Sequence, residues 1–356
     1  MIKIGIIGIG SIAMDYLELI IAGKVKGCHI AALCSRNQEK IIRVREEISS
    51  KDQIALFTDY RELISSGTCD AVLICTPHKE HPKIAEYALQ NKVHVLVEKP
   101  VGTDSNEVTH LLEVREHNAD CVCGVMYNRR MSKAYQFIRK KVNDGVLGEL
   151  VRVTWTITNL YRTVAYYSSS PWRGTWKEEG GGILMTQASH QLDLLQWICG
   201  PIQVEKARCA TVDRDLEVEN DVEILFTLNN NAHGQFIASA HEAPGTNRLE
   251  ICGTRGSMII EDDSKVRLIR LREDERCFSR ESKLPFAKPD YEEESFIFDD
   301  SDNKVQQAAA LQNFVDCVKG KTTIFCSLEE GAKSFFIIKD VYANALGKGN
   351  ANESKS

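Results

Sequence analysis

Three side chains in this sequence have the types to move a proton and to hold charge on oxygen: Lys99, His190 and Asp193. Lys99 lies in Glu98-Lys99-Pro100, directly behind the apolar run of residues 93–97. An ammonium fixed at the end of a strand stabilises an alkoxide that develops as a hydroxyl is oxidised. X-Pro bonds tolerate cis geometry, so Pro100 is able to turn the lysine toward a ligand. His190 follows Thr186 by four residues and precedes Asp193 by three, spacings that put all three on one face of a helix expected over residues 183–199. Imidazole titrates near neutrality and suits the proton step. Asp193 either orients that imidazole or caps nearby structure. Gly180, Gly181 and Gly182 precede the helix, where missing side chains let a ligand or another backbone come close. A lone helical histidine is more often a packed core residue than a catalyst, and a loop lysine is ordinarily solvated. The glycine run, the i+3 carboxylate and the position of Lys99 together favour chemistry.

Such chemistry needs an electron carrier, and Gly8, Gly10 and Ala13 spell G-x-G-x-x-A between an apolar strand and a helix that opens at Ser11. Gly8 permits the tight turn, Gly10 lets a pyrophosphate approach the backbone, and Ala13 keeps helix and strand close. The helix start at Ser11 and Ile12 offers free N–H donors to that phosphate. Glycine turns also serve packing alone, but here the βαβ unit returns at Leu33, as a dinucleotide site requires. Where an NAD enzyme usually places an acid, at the end of the second strand, this chain has Ser35 and Arg36. A hydroxyl and a guanidinium suit a 2′-phosphate, so NADP is favoured. The NAD reading has Arg36 stacked on the adenine or facing solvent.

The elements that position these groups fall into two patterns. Residues 1–125 alternate β-rich runs at 3–8, 29–34, 71–75, 93–97 and 121–125 with helices from Ser11, Gln38, Pro82 and Ser105, predicting a doubly wound Rossmann sheet of about six parallel strands. Residues 126–346 carry longer alternating runs at 151–158, 204–212, 222–228, 233–240, 249–252 and 257–261, predicting an α/β domain on a large, open, mostly antiparallel sheet. One face of that sheet is available for a homodimer or homotetramer. Residues 290–303 are acidic and aperiodic and read as a solvated loop; helices are expected at 305–319 and 328–346, and residues 347–356 as a disordered tail.

Composition narrows the partners. A net charge of −6 gives no basic field for nucleic acid or an anionic membrane, and no apolar run approaches the ~20 residues of a membrane helix. The N-terminus carries no signal-peptide pattern. Twelve cysteines are mostly scattered singly in apolar runs, and Cys121 and Cys123 lack zinc-ligand spacing. Free thiols in a reducing cytoplasm, with no structural metal and a small-molecule partner, are expected.

Taken together, the chain resembles the Gfo/Idh/MocA family of oxidoreductases over nearly its whole length. The resemblance rests on residues 8–13, on Thr76-Pro77-His78-Lys79-Glu80-His81, on Glu98-Lys99-Pro100, and on Gly180-Gly181-Gly182 leading to His190 and Asp193. It implies hydride transfer between a nicotinamide cofactor and a secondary hydroxyl or ketone of a sugar, inositol or sugar derivative. It further implies that Lys99 and His190 are the catalytic pair, with Thr76, Pro77, His81 and Glu98 around the cofactor and Trp172-Arg173 over the dinucleotide. Many members have an aspartate four residues before the histidine; here Thr186 stands there, able to hydrogen-bond a substrate hydroxyl but not to supply charge. His78 likewise replaces a common asparagine. Tyr161, Tyr166, Tyr167 and Trp176 form a polar aromatic stretch that suits sugar faces and sheet packing equally. The family also contains NAD-dependent glycosidases, and a dinucleotide-binding regulator would share the fold.

Overall fold

The computed structural model describes residues 1–48, 53–170 and 172–347; most of the expected tail lies outside the described residues. By internal contact the chain forms two units, the first Met1–Met131 with Glu178–Gly180 and Asp302–Phe335, the second Ser132–Lys177 with Gly181–Ser301 and Phe336–Ser356. A linear division at residue 125 does not capture the return of Asp302–Phe335 to the first unit.

The first unit runs β1 (Ile2–Ile7), α1 (Ser11–Ile21), β2 (Cys28–Cys34), α2 (Gln38–Glu47), β3 (Ala55–Phe57), α3 (Tyr60–Ser65), β4 (Ala71–Ile74), α4 (His81–Gln90), β5 (His94–Val97), α5 (Ser105–Glu116) and β6 (Cys123–Val125). The strands form one parallel sheet in the order β3-β2-β1-β4-β5-β6. That order reverses between β1 and β4, which makes the carboxyl ends of those two strands the switch point where ligands of open α/β sheets bind. β4 reads Ala-Val-Leu-Ile and is wholly buried, as a parallel strand covered on both faces must be. The short β3, three half-buried residues within the apolar run 54–57, is not among the expected strands. Asn37, Asp59 and Asp104 cap α2, α3 and α5 with side-chain oxygens.

The second unit carries α6 (Lys133–Asn143), β7 (Leu150–Ile157), α7 (Val164–Ser168), α8 (Trp176–Glu179), α9 (Ile183–Thr186), α10 (Ser189–Cys199), β8 (Ile202–Ala210), β9 (Asp221–Leu228), β10 (His233–Ser239), β11 (Asn247–Gly253), β12 (Gly256–Glu261), β13 (Lys265–Leu271), α11 (Glu275–Glu281) and β14 (Tyr291–Ile297), though Glu178 and Glu179 of α8 group with the first unit. Its eight strands are ordered β14-β13-β12-β11-β7-β10-β9-β8, antiparallel except where β7 meets β10. Val222, Ile224, Phe226 and Leu228 alternate inward along β9, and Trp155 and Phe236 complete a buried aromatic centre. Gly234 is required there, because a Cβ would stand 2.0 Å from the Phe226 ring. The outer face carries ion pairs such as Arg248–Glu250 at 2.8 Å and Arg208–Asp221 at 3.1 Å.

Two expectations are corrected. Residues 290–303 are not simply a loop: β14 pairs with β13, and Glu292, Glu293 and Glu294 meet Arg272, Arg267 and Arg270 across the strands. The helix expected over 183–199 is broken, because the N–H groups of Gln187 and Ala188 both turn back to the Ile183 carbonyl. The chain closes with α12 (Asn303–Val318) and α13 (Leu328–Leu346). Among the described residues no helix is long and apolar enough to cross a membrane, and all twelve cysteines are free thiols.

Candidate active-site residues

In the first unit the expected cofactor residues follow three neighbouring strands: Gly8 after β1, Thr76 and Pro77 after β4, and Glu98 and Lys99 after β5. Gly8 has φ +89°, and a Cβ there would lie 2.7 Å from the Cys75 carbonyl carbon and the Thr76 nitrogen, so only glycine lets the turn rest on the end of β4. Gly10 has open space within 4 Å of its Cβ position. It is the N-cap of α1 without supplying a side-chain hydrogen bond, so the N–H groups at Ser11 and Ile12 are left for a ligand. Thr76 Oγ1 is buried with no hydrogen-bond partner among the described residues. An open glycine, an uncapped helix start and an orphaned hydroxyl at one sheet edge fit a dinucleotide phosphate. Ser35 and the exposed Arg36 follow β2; among the described residues Arg36 makes no ion pair.

His81 lies between the turns that follow β4 and β5. Its Nδ1 lies 2.8 Å from the Pro100 carbonyl and its Nε2 2.8 Å from the Thr76 carbonyl, inside a fully buried site. Burial pushes its pKa down despite both carbonyls. A neutral ring donates to only one of these two carbonyls, and from this position His81 links the turns that follow β4 and β5. Glu98 accepts a short hydrogen bond from Tyr16 of α1 and a second from the Lys99 backbone N–H at 3.2 Å. Burial raises the Glu98 carboxyl against the opposing pull of Tyr16 and Lys99. Lys99 is half-buried, and its bond to Pro100 is cis. His78 Nδ1 sits 3.3 Å from the Glu179 carbonyl, and Lys79 pairs with Glu178 at 2.5 Å.

In the second unit the helix break places Thr186 on α9 and His190 with Asp193 on α10, so the three do not share one continuous helical face. His190 and the buried Asp193 remain one turn apart on α10. Thr186 Oγ1 lies 2.7 Å from the Gly182 carbonyl and 2.6 Å from Gln187 Oε1, so its single proton is used within the chain and it can only accept from a substrate hydroxyl. The glycine run makes room for the protein itself. A Cβ on Gly181 would meet the Tyr342 hydroxyl at 2.1 Å, and one on Gly182 the Glu219 carbonyl at 1.8 Å. In the first unit, Gly180 rests on Thr103 in the same way.

Beneath that run sits Glu219, 3% exposed. Its carboxylate accepts from Gly182 N at 2.8 Å, Leu184 N at 3.1 Å and the Tyr342 hydroxyl at 2.8 Å, which caps the start of α9. Burial overrides those donors and pushes its pKa up to about 7. Of the aromatic stretch, Trp176 is structural: its indole N–H donates to the Glu217 carbonyl at 2.8 Å and its ring stands edge-on to Tyr342. Tyr161 is exposed, while the Tyr166 hydroxyl accepts from Arg173 at 2.5 Å and from Gln187 at 3.0 Å. The Arg173 guanidinium also stacks on Trp172, 4.5 Å from the ring centre.

Comparison with known proteins decides the family. A model described as the oxidoreductase family with an NAD-binding Rossmann fold matches residues 2–127, and one described as the GFO/IDH/MocA C-terminal domain matches residues 135–259. The chain belongs to the Gfo/Idh/MocA family. It is 26% identical over 275 residues to an uncharacterized oxidoreductase of Synechocystis sp., covering 70% of this chain and 72% of that protein. It is 22% identical over 269 residues to a myo-inositol 2-dehydrogenase of Thermotoga maritima, covering 73% and 75%. Its fold is similar to the WlbA dehydrogenase of Bordetella pertussis, solved with NADH and UDP-GlcNAcA, with TM-score 0.79, 21% identity and coverage of 98% and 97%.

As a Gfo/Idh/MocA protein the chain is an oxidoreductase whose N-terminal unit is an NAD-binding Rossmann domain. Tyr16, Glu219 and Tyr342 were not singled out from sequence. Tyr16 had a signal, the inward face of the helix that opens at the glycine turn. Glu219 and Tyr342 had none, since their partners lie 35 to 123 residues away along the chain. Asp221, His241 and Glu242 bring ligand-type atoms within 4.8 Å of one another, but Asp221 already pairs with Arg208 at 3.1 Å and with His241 at 3.0 Å.

Proposed function

We propose that this oxidoreductase interconverts a secondary hydroxyl and a ketone on a sugar, an inositol or a related ring, with Lys99 and His190 acting on the same reacting oxygen. The observation that carries the reading is the pair of ligand-ready groups at the ends of β1 and β4, open Gly10 and orphaned Thr76 Oγ1, beside which half-buried Lys99 follows β5. Gly8, Gly10, Ser11, Ile12, Thr76, Pro77 and Glu98 would hold the dinucleotide, and the family resemblance adds Trp172 and Arg173 to them. When bound, the nicotinamide supplies a two-electron hydride acceptor or donor. His190 takes the hydroxyl proton in the oxidative direction and returns it in the reductive one. The Lys99 ammonium holds the developing alkoxide, a charge that water would otherwise have to solvate. Asp193 keeps the imidazole in the tautomer that accepts at the substrate side.

Ser35 and Arg36 support NADP in preference to NAD. The guanidinium is exposed and, among the described residues, carries no carboxylate that would occupy it. A cytoplasmic enzyme assembled as a homodimer or homotetramer through the open face of the eight-stranded sheet completes the proposal.

The test is a panel of polyols, sugars, sugar phosphates and nucleotide sugars with each cofactor, followed by nicotinamide fluorescence. Net cofactor reduction by a free hydroxylated ring, lost in Lys99→Ala and His190→Ala variants that still bind dinucleotide, is the expected result. Turnover unaffected in either variant would overturn the assignment.

A further inference from the structure

The second unit concentrates guanidinium groups over aromatic rings in the segments around residues 161–173 and at residue 214. Arg162 lies with its guanidinium carbon 5.1 Å from the centre of the Tyr166 ring, Arg173 stands 4.2 Å from the centre of that same ring, and Arg214 is 5.8 Å from the centre of Tyr161. Backbone carbonyls fix the planes. Arg214 donates from Nε and Nη2 to the Arg162 carbonyl at 3.3 and 3.2 Å and from Nη1 to the Asp213 carbonyl at 2.7 Å, while Arg162 Nη1 donates to the Tyr161 carbonyl at 2.8 Å. Carbonyls orient a guanidinium without cancelling its charge.

The sheet of the same unit handles arginine differently. Arg152, Arg208, Arg248, Arg267, Arg270 and Arg272 each meet a carboxylate. Among the described residues neither Arg162 nor Arg214 does, although both are half-buried. Adjacent cations that are oriented and partly desolvated, with no carboxylate partner among the described residues, create a field that favours an anion. Tyr166 adds a donor. Its oxygen already accepts from Arg173 Nη1 and Gln187 Nε2, so its lone pairs are used, and its own proton has no acceptor among the described residues. Gln187 in turn accepts from Thr186 at 2.6 Å, which ties this cluster to the segment that leads into His190.

We propose that the ring acted on by this enzyme carries an acidic substituent, a carboxylate or a phosphate monoester, which Arg162 and Arg214 receive as cations and to which the Tyr166 hydroxyl donates. The inference rests on the hydroxylated-ring reading above and narrows it to acidic sugars. Thr186 joins the same network through its hydrogen bond to Gln187.

The test is calorimetric titration of the full-length protein, with and without saturating NADH, using glucuronate, galacturonate and glucose 6-phosphate against glucose and galactose. At least one acid is expected to bind ~10-fold or more tighter than its parent sugar, the gain of one charge-assisted contact. Arg162→Ala and Arg214→Ala should each remove ~10-fold from the acid alone and leave the parent sugar unchanged, and Tyr166→Phe about 5-fold. Arg162→Lys, which keeps charge without the fork and serves if the alanine variant does not fold, should retain part of the preference. The stronger of the uronate and phosphate arms identifies the acid. Acids that bind no better than neutral sugars, or none that bind at all, overturn the proposal, as does a preference that survives in both alanine variants. Turnover is scored separately. Absence of cofactor reduction by any ring sinks the hydroxyl-oxidation reading, whereas equal kcat/KM for neutral and acidic rings sinks only the acid claim.

Discussion

Two glycine-rich turns lead into helices in this chain, and they use glycine for opposite reasons. At Gly10 the space a side chain would fill is empty and the following helix start is uncapped, so backbone donors face outward. At Gly181 and Gly182 that space is filled by Tyr342 and by the Glu219 backbone, and the Glu219 carboxylate supplies the cap. The first turn is built for a guest. The second is built for its own neighbours, and any ligand near it must be recognised by side chains. A glycine run before a helix thus marks close approach without saying who approaches.

The comparison breaks most sharply under alanine. Gly182→Ala drives a Cβ to 1.8 Å from the Glu219 carbonyl oxygen, a backbone clash that no rotamer relieves. Loss of more than ~4 kcal/mol, seen as insoluble protein or a collapsed melting transition, is expected. Gly10→Ala meets nothing within 4 Å and should leave the melting temperature within about 2 °C of wild type, while weakening dinucleotide binding by roughly 100-fold in fluorescence titration. Equal stability losses in the two variants would erase the distinction.

The second turn also responds to pH through Glu219, whose carboxyl rises from the ordinary 4.5 to about 7 in the folded chain. A folded-state pKa above the unfolded one means that the native protein holds the proton more tightly. Its contribution to stability is therefore full below pH 4.5 and is lost as pH rises through about 7. Relative to Glu219→Gln, which does not titrate, the wild type should lose about 3 kcal/mol of unfolding free energy across that window in urea melts at successive pH values. A difference that is flat with pH would show that the carboxyl is not perturbed.

The smallest effect concerns the first turn's guest. Arg36→Ala should lower the NADP-to-NAD preference by roughly 10-fold, equivalent to one charge-assisted contact with the 2′-phosphate, with stability unchanged. An unaltered ratio of kcat/KM for the two cofactors would return Arg36 to solvent.

Much of this was legible in the sequence because periodicity reports burial. Residues 71–75 read as a continuous apolar run because β4 is covered on both faces, and residues 222–228 alternate because β9 has one inner and one outer face. β14 escaped notice because nearly all of it is exposed: it is held at the sheet edge by backbone pairing and by glutamates facing arginines, which leaves no hydrophobic period to read. The break between α9 and α10 has no glycine or proline to announce it; it arises where Gln187 and Ala188 share the Ile183 carbonyl. Lys99 and His190 stand out as candidates in the sequence because they lie beside turn motifs. Glu219 does not, because its importance comes from contacts with Leu184 and Tyr342 far along the chain.

The proposed chemistry has Lys99 and His190 serve one transition state, and a double-mutant cycle measures that coupling most directly. Lys99→Ala and His190→Ala should each lower kcat by ~100- to 10,000-fold, and the double variant should be little worse than the poorer single one, because groups that act as a unit are not additive. Losses that simply multiply, with the dinucleotide still bound, would show that the amine and the imidazole work independently and would contradict the proposed chemistry.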